Sequence, residues 1–304
     1  MNRKKHQCLA FFQVDAFTNE LYRGNPAAVV PMQDDWLSDG QLLTIAKENN
    51  LSETAFIKVT DADSDHDYEL RWFTPGLEVD LCGHATLAAA YVIFNEVDPS
   101  LEYIRFQTRF AGTLTVYRDG DKLQLDFPER PPQEVSRNED MIKLIGGNPI
   151  AHLKGERDNL FVYETEEEVL SLSPDYAGLK KFGPEGYIAT AIGQKHETQT
   201  EAPSSNQEKK FSLKDDFTQD EATQNPVPDF ISRCFFPGHG IEEDPVTGSA
   251  HCTSASYWAT TLEKTDLYAI QRSAREGHLW IKVEEGRVKM SGHGKLVIEG
   301  KIYI

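Results

Sequence analysis

Hydrophobic and polar positions alternate along much of this chain, and the places where alternation fails carry the most information. From Leu87 to Phe94 it fails completely: Leu87, Ala88, Ala89, Ala90, Tyr91, Val92, Ile93 and Phe94 follow one another without a polar break. An α-helix that is apolar all round is buried, inside a protein or in a membrane. This run falls short of the roughly 20 apolar residues that cross a bilayer. The pattern therefore predicts a core helix starting near Gly83. A strand over Tyr68–Thr74 and a Pro75-Gly76 turn lead into it, and a polar Gly83-His84 pair sits at its mouth.

Elsewhere the pattern predicts shorter elements. Cys8–Phe17 and Asn25–Val30 read as strands, followed by a helix with a clear start. Ser38 is its N-cap, Gln41 the capping-box partner, Leu37 and Leu42 a hydrophobic staple, and Asn49-Asn50 its end. Leu51–Ile57 is a short strand with Glu53 at its mouth, and Asp61–Asp67 a solvated acidic loop. Strands follow at Tyr103–Gln107, Thr113–Arg118 and Lys122–Phe127, the last two joined through Asp119-Gly120 as a hairpin. Beyond Pro128, Pro131 and Pro132 come a helix (Asn138–Ile145), a strand (Asn159–Tyr163), an acidic helix (Glu164–Leu170) and a strand (Tyr187–Ile192). From Gln194 to Asp229 the large apolar residues thin to Phe211, Leu213, Phe217 and Val227, too few to fix a fold, so a mobile surface insertion is expected. Strands resume at Phe230–Phe236, Leu279–Val283, Arg287–Ser291 and Leu296–Ile304.

The chain also repeats itself. Arg71-Trp-Phe-Thr-Pro-Gly returns 162 residues later as Arg233-Cys-Phe-Phe-Pro-Gly, and Gly83-His84-Ala85 returns 165 residues later as Gly248-Ser249-Ala250. Both copies read strand, Pro-Gly turn, acidic loop, then a helix low in charge, the second over Ser249–Leu262. Such a repeat implies two similar domains, 1–129 and 130–292, with the final strand (about 293–304) completing the first. The domains would face each other across a cleft. Two helix N-termini aimed into one cleft form an anion site, because free N–H groups and the helix dipole both favour negative charge. Each end contributes roughly 0.3–1 kcal/mol, rising to about 2 when partly buried. Enzymatic acceleration needs about 8 kcal/mol or more, so catalysis requires a positioned acid or base as well.

Composition narrows the function further. A net charge of −18 over 304 residues argues against nucleic acid or an anionic membrane as partner. Cys8, Cys82, Cys234 and Cys252 are scattered without a Cys-x-x-Cys pair, so neither a disulfide framework nor a zinc site is expected. His239, His251, His278 and His293 lack metal spacing and read as structural. The basic start, Met1–His6, is followed by only Leu9–Phe12 before Gln13 and Asp15 interrupt, which is too short for a signal peptide and points to the cytoplasm. Neither a Gly-x-Gly-x-x-Gly nor a P-loop is present, so a nucleotide cofactor is not expected.

Several segments together resemble a known family. Arg23-Gly-Asn-Pro-Ala-Ala-Val, Asn50-Leu-Ser-Glu-Thr-Ala-Phe, Arg71-Trp-Phe-Thr-Pro, Cys82-Gly-His-Ala-Thr-Leu-Ala, Glu243-Asp-Pro-Val-Thr-Gly-Ser-Ala-His and Gln271-Arg-Ser-Ala-Arg-Glu-Gly-His-Leu are similar to the phenazine-biosynthesis PhzF-like family. The resemblance implies an α+β, diaminopimelate-epimerase-like fold: two similar domains, each a sheet curled around a buried helix, with the active site between them. It implies a cofactor-independent isomerase, without metal, acting on a small carboxylated substrate, and commonly a homodimer. Glu53 matches the family's proton-carrying glutamate. His84 and Asp244 match its other catalytic positions, and Gly83, Gly248 and Ser249 its substrate-binding ones. Burial in an apolar cleft is expected to raise the Glu53 pKa towards the working pH. Glu276 stands where a second glycine is usual, and the 194–229 segment is long. Cys82 occupies the place of a catalytic thiol in diaminopimelate epimerase, but a two-thiol racemase needs a partner and the second copy offers Thr247. Cys82 is therefore expected to be a packing residue. The other readings are a thiol-dependent racemase using Cys82 and a binding protein without turnover.

Overall fold

Strands that alternate in sequence lie open to solvent on one face, whereas unbroken apolar strands are covered on both. Lys122–Pro128 shows the first case, with Leu123, Leu125 and Phe127 buried and the residues between them not. Glu53–Val59 shows the second, buried continuously from Glu53 to Ile57. The difference follows from position: central strands are sandwiched between an inner and an outer helix, peripheral ones touch only the inner helix. The computed structural model describes residues 8–33, 35–61, 64–194 and 226–304. Most of the expected insertion, 195–225, lies outside the described residues.

Among the described residues, eighteen strands join in one large sheet built from two halves. In the first, Cys8–Ala16 pairs antiparallel with Asn25–Pro31, which runs parallel to Glu53–Val59. That strand is antiparallel to Tyr68–Phe73, which pairs with the short Glu78–Val79 and runs parallel to Tyr103–Thr108. Thr113–Asp119 and Lys122–Pro128 then follow as antiparallel neighbours. The second half repeats this order of pairings through Ala151–Lys154, Asp158–Val162, Gly186–Ile192, Phe230–Phe236, Ile241–Asp244, Asp266–Gln271, Gly277–Glu284 and Arg287–Gly292. Lys122–Pro128 and Arg287–Gly292 pair with each other and join the halves. Each half then lends its next strand to the other: Gln133–Glu134 pairs with Ala151–Lys154, and Gly294–Tyr303 with Cys8–Ala16.

Side chains obey the repeat as closely as the backbone does. Arg71 forms a bidentate pair with Glu78 (2.7 and 2.8 Å) and lies 5.1 Å over the Phe73 ring. Arg233 forms the same pair with Glu243 (2.8 and 2.9 Å) and lies 5.1 Å over Phe235.

The expected core helix spans Gly83–Val92 and passes into a π-helical turn, Ile93–Val97. It touches both the first strand and Lys122–Pro128 at the far side of its half, so the half-sheet curls around it. Leu87, Val92, Ile93 and Phe94 are fully buried there, each worth roughly 1.5–3 kcal/mol. Helix Gly248–Leu262 holds the matching place in the second half. Outside the sheet, Asp39–Asn49 covers Leu9, Val30, Phe56 and Phe73. Glu139–Ile145, Glu166–Leu170 and Tyr176–Leu179 cover Phe161, Tyr187 and Ala189. The segment expected to be mobile is anchored at its described ends: Ile192 pairs with Phe230, and the Asp229 carboxylate meets Lys264 and the Tyr268 N–H.

Candidate active site

Both buried helices start at one cavity of about 310 Å³. Such a volume suits a small metabolite. Other helices of the chain close their N-termini with a side chain: Ser38, Asn138, Thr165 and Asp175 each accept from a first-turn amide. The two helices at the cavity do not. Their N-cap residues, Cys82 and Thr247, form no side-chain cap. First-turn amides left without a cap are free to serve a ligand.

Glycine opens each helix, and neither packing nor backbone strain requires it there. Neither Gly83 nor Gly248 has a positive φ. A side chain at Gly83 would approach nothing closer than 3.6 Å, and one at Gly248 nothing closer than 3.8 Å. Those nearest neighbours are Phe127, Phe17 and the other glycine's backbone, so the two helix ends meet. What the glycines provide is open space over the free amides.

Glu53, His84, Asp244, Gly83, Gly248 and Ser249 all line this cavity. Glu53 is delivered by the mouth of its strand and is nine-tenths buried. Its Oε2, sealed from solvent and without a straight hydrogen bond, lies 3.1 Å from His84 Nε2. Ser52 Oγ is 3.3 Å from the same nitrogen. On the other edge of the ring, Nδ1 lies 3.5 Å from Cys82 Sγ and 3.3 Å from Asn25 Nδ2. Asn25 Nδ2 also donates across the cleft to Asp244 Oδ1 and the Val246 carbonyl, both at 2.9 Å. Thr247 Oγ1 donates to the other Asp244 oxygen. Gln271 completes the second half by donating to the Asp244 carbonyl at 2.7 Å and accepting from Thr247 N at 2.7 Å.

The charges correct one expectation. Burial does push the Glu53 carboxyl upward, but the adjacent His84 charge and hydrogen bonds from His84, Ser52 and Cys82 outweigh it. The result lies below the ordinary carboxylate value, not above it. His84 is pulled the other way: burial disfavours its charge, yet Cys82 and Glu53 hold its pKa well above the usual imidazole value. Both shifts favour an imidazolium–carboxylate pair. Asp244 instead is pushed up to about 6 by burial, with His84, Thr247 and Asn25 only partly offsetting that.

Glu53, Cys82 and His84 lie within 4.8 Å of one another, a spread that invites comparison with a metal site. The geometry does not fit one. Glu53 and Cys82 face opposite ring nitrogens of His84, so no single ion lies on the lone pair that each would share with it.

Asn25, Ser52 and Gln271 were not expected at the site, although each lies inside a segment that carries the family resemblance. Their signal was a buried amide or hydroxyl beside a motif carboxylate. Nor were Asp80 and Arg157 expected there, half-exposed residues from opposite halves that stand 3.9 Å apart at the cavity wall. His239, expected to be structural, borders the cavity too. Asn25 can reach the cleft because the turn before it is fixed. Gly24 has φ +62°, and a side chain there would lie 2.2 Å from the Ala16 carbonyl. Arg275 from the second half donates to the Gly24 and Arg23 carbonyls at 2.8 Å each.

Residues 14–300 match the family of phenazine biosynthesis-like proteins, PhzC/PhzF. The chain belongs to this family. A Pseudomonas aeruginosa protein named as an uncharacterized isomerase is 41% identical over 296 residues, covering 97% of this chain and 99% of that one. The human phenazine biosynthesis-like domain-containing protein is 36% identical over 301 residues, covering 97% and 99%. A crystal structure of an Enterococcus faecalis PhzF-family protein superposes with a TM-score of 0.83 at 37% identity, covering 98% of this chain and all of that one. The fold extends to a hydroxyproline epimerase of Agrobacterium vitis, TM-score 0.56 at 10% identity. The expected fold class is thus established, and the chain is an isomerase of the PhzF family.

Proposed function

We propose that this isomerase moves a proton on a small carboxylated metabolite using its own side chains, with no cofactor, and that Glu53 takes and returns the proton. The observation that carries this reading is the pair of uncapped, glycine-opened helix N-termini beside one buried carboxylate. A substrate carboxylate placed over Gly83 and Gly248 would accept from the free amides of both halves. Glu53, ionised by its His84 partner, is then in the state required of a base. On gaining a proton it leaves His84 as a cation close to the charge that develops on the substrate, an arrangement that favours an enolate-like intermediate. Asp244, fixed by Asn25 and Thr247, faces the same ligand from the second half and would orient it or relay a proton.

The thiol reading finds less support. Burial and the Glu53 charge both push the Cys82 thiol up, the opposite of an activated nucleophile or base. Incubating the protein with a panel of carboxylated metabolites in deuterated solvent, and following mass gain and product, tests the proposal. Glu53→Gln should still bind but lose the exchange. Exchange that persists at the wild-type rate would remove Glu53 from the mechanism. Binding by thermal shift with no exchange by the wild type would favour a binding protein.

A further inference from the structure

Hydrogen counting around His84 Nδ1 leaves one partner for it. Asn25 Nδ2 is only 3.3 Å away, but both its hydrogens are committed, to Asp244 Oδ1 and the Val246 carbonyl. An amide nitrogen has no acceptor capacity either. Turning the carboxamide over would set its oxygen against the Asp244 carboxylate and the Val246 carbonyl, so the network fixes its orientation. Asn25 therefore neither gives to Nδ1 nor takes from it. Cys82 Sγ, at 3.5 Å, remains.

We infer that Cys82 is a positioning residue: its sulfur holds His84 Nδ1, which fixes the ring with Nε2 3.1 Å from Glu53 Oε2 and 3.3 Å from Ser52 Oγ. A thiol suits this place because it both donates and accepts. It takes a hydrogen bond from the imidazolium and gives one to the neutral ring, so His84 can change protonation state without turning. The matching residue of the second half behaves alike. Thr247, also an N-cap that caps nothing, gives its hydroxyl to Asp244. In each central helix the N-cap side chain closes no standard cap and instead reaches an acid–base group in the cavity, His84 in one half and Asp244 in the other. Among the described residues, the titratable groups facing His84 are Glu53, Cys82 and Asp244, with Ser52 and Asn25 as neutral neighbours.

The inference rests on Glu53 being the base, but its test does not need a substrate. Protein labelled with ¹⁵N-histidine reports each ring nitrogen separately, and His84→Gln assigns the His84 signals. In Cys82→Ala the His84 midpoint should fall by about one unit, since the imidazolium loses the partner of one N–H. The Nδ1 signal should also change while Nε2 stays bonded. Cys82→Ser, whose hydroxyl donates and accepts, should restore most of the wild-type behaviour. A His84 titration unchanged in Cys82→Ala would overturn the inference, as would a serine variant no better than alanine. On any substrate found by exchange, the pH limit of the rate should move with the His84 midpoint, and a rate limit that stays put would count against the positioning role. Absence of exchange in the wild type would instead count against the isomerase mechanism, and the NMR comparison would still decide the role of Cys82.

Discussion

The two halves share a backbone plan but not a chemistry. Register makes the comparison residue by residue. Thr54 faces Phe73, and Tyr187 faces the matching Phe235, so the residues one step earlier, Glu53 and Gly186, correspond. Val79 faces Trp72 and Asp244 faces the matching Cys234, so Val79 and Asp244 correspond. Cys82 matches Thr247, and His84 matches Ser249. Among these compared cavity positions only the opening glycines, Gly83 and Gly248, are the same in both. The shared features are therefore the ones that would hold an anion, and the unshared ones include the groups that the proposed mechanism uses to handle a proton. In the second half the space beside Gly186 is taken: a side chain there would start 2.3 Å from Asp158 Oδ1. No side-chain carboxylate stands at Gly186 itself; the Asp158 carboxylate, which lines the same cavity, fills that space.

The largest effect should come from removing the proposed base, Glu53. Glu53→Gln keeps size and hydrogen bonding but cannot take a proton, and the exchange rate should fall by roughly 10²–10⁴-fold. Next comes the unshared acid of the other half. Folding raises the Asp244 pKa from 3.8 to about 6. A raised carboxylate contributes stability that is complete below the unfolded value and lost as pH rises through the folded one. Wild type should therefore lose up to about 3 kcal/mol relative to Asp244→Asn between about pH 4 and pH 6, at roughly 1.4 kcal/mol per unit. Urea unfolding of both proteins at pH 4 and pH 7 measures it. The cost of the altered hydrogen bonds is the same at both pH values and cancels. A pH-independent difference would mean that Asp244 does not titrate as its burial requires.

How far such asymmetry was readable in the sequence depends on what generated each signal. The core helix, the capped helix after Ser38 and the alternating strands Tyr103–Thr108 and Lys122–Pro128 were legible because one face of each pattern reports its environment. Asp266–Gln271, by contrast, was missed. It is buried from Leu267 to Gln271, so it neither alternates nor stands apart from the helix before it. Two-residue strands such as Glu78–Val79 and Gln133–Glu134 are defined by their partners, not by their composition. At the site, family resemblance located Glu53 and the glycines, while burial alone misjudged the Glu53 charge. Its sign was set by a histidine thirty-one residues on, a distance that only folding closes. Asn25 escaped notice because its role is to join two halves that lie far apart in the chain.

The shared glycines give the third test. Gly83→Ala and Gly248→Ala place a methyl group in open space, at ordinary contact distances of 3.6 Å or more. Stability should stay within about 0.5 kcal/mol of wild type. Carboxylate binding should weaken by about tenfold in both, since either methyl group crowds the same pair of amides. Equal losses would support a ligand shared between the halves. A loss at Gly83 alone would assign the anion to the first helix.

The smallest effect should separate helix ends that are capped from those left open. Ser38 closes the outer helix with a capping box, accepting from Gln41 N while the Gln41 side chain reaches back to the Ser38 N–H. Ser38→Ala removes that acceptor and should cost about 1 kcal/mol in urea unfolding, with exchange activity unchanged. Thr247→Val is the matching change at an open end. It removes no cap, because the Thr247 hydroxyl serves Asp244 instead. Its main effect should therefore be on the ligand and on the Asp244 titration. If Thr247→Val proved the purely structural change and Ser38→Ala the functional one, the open helix ends would have no special part in binding.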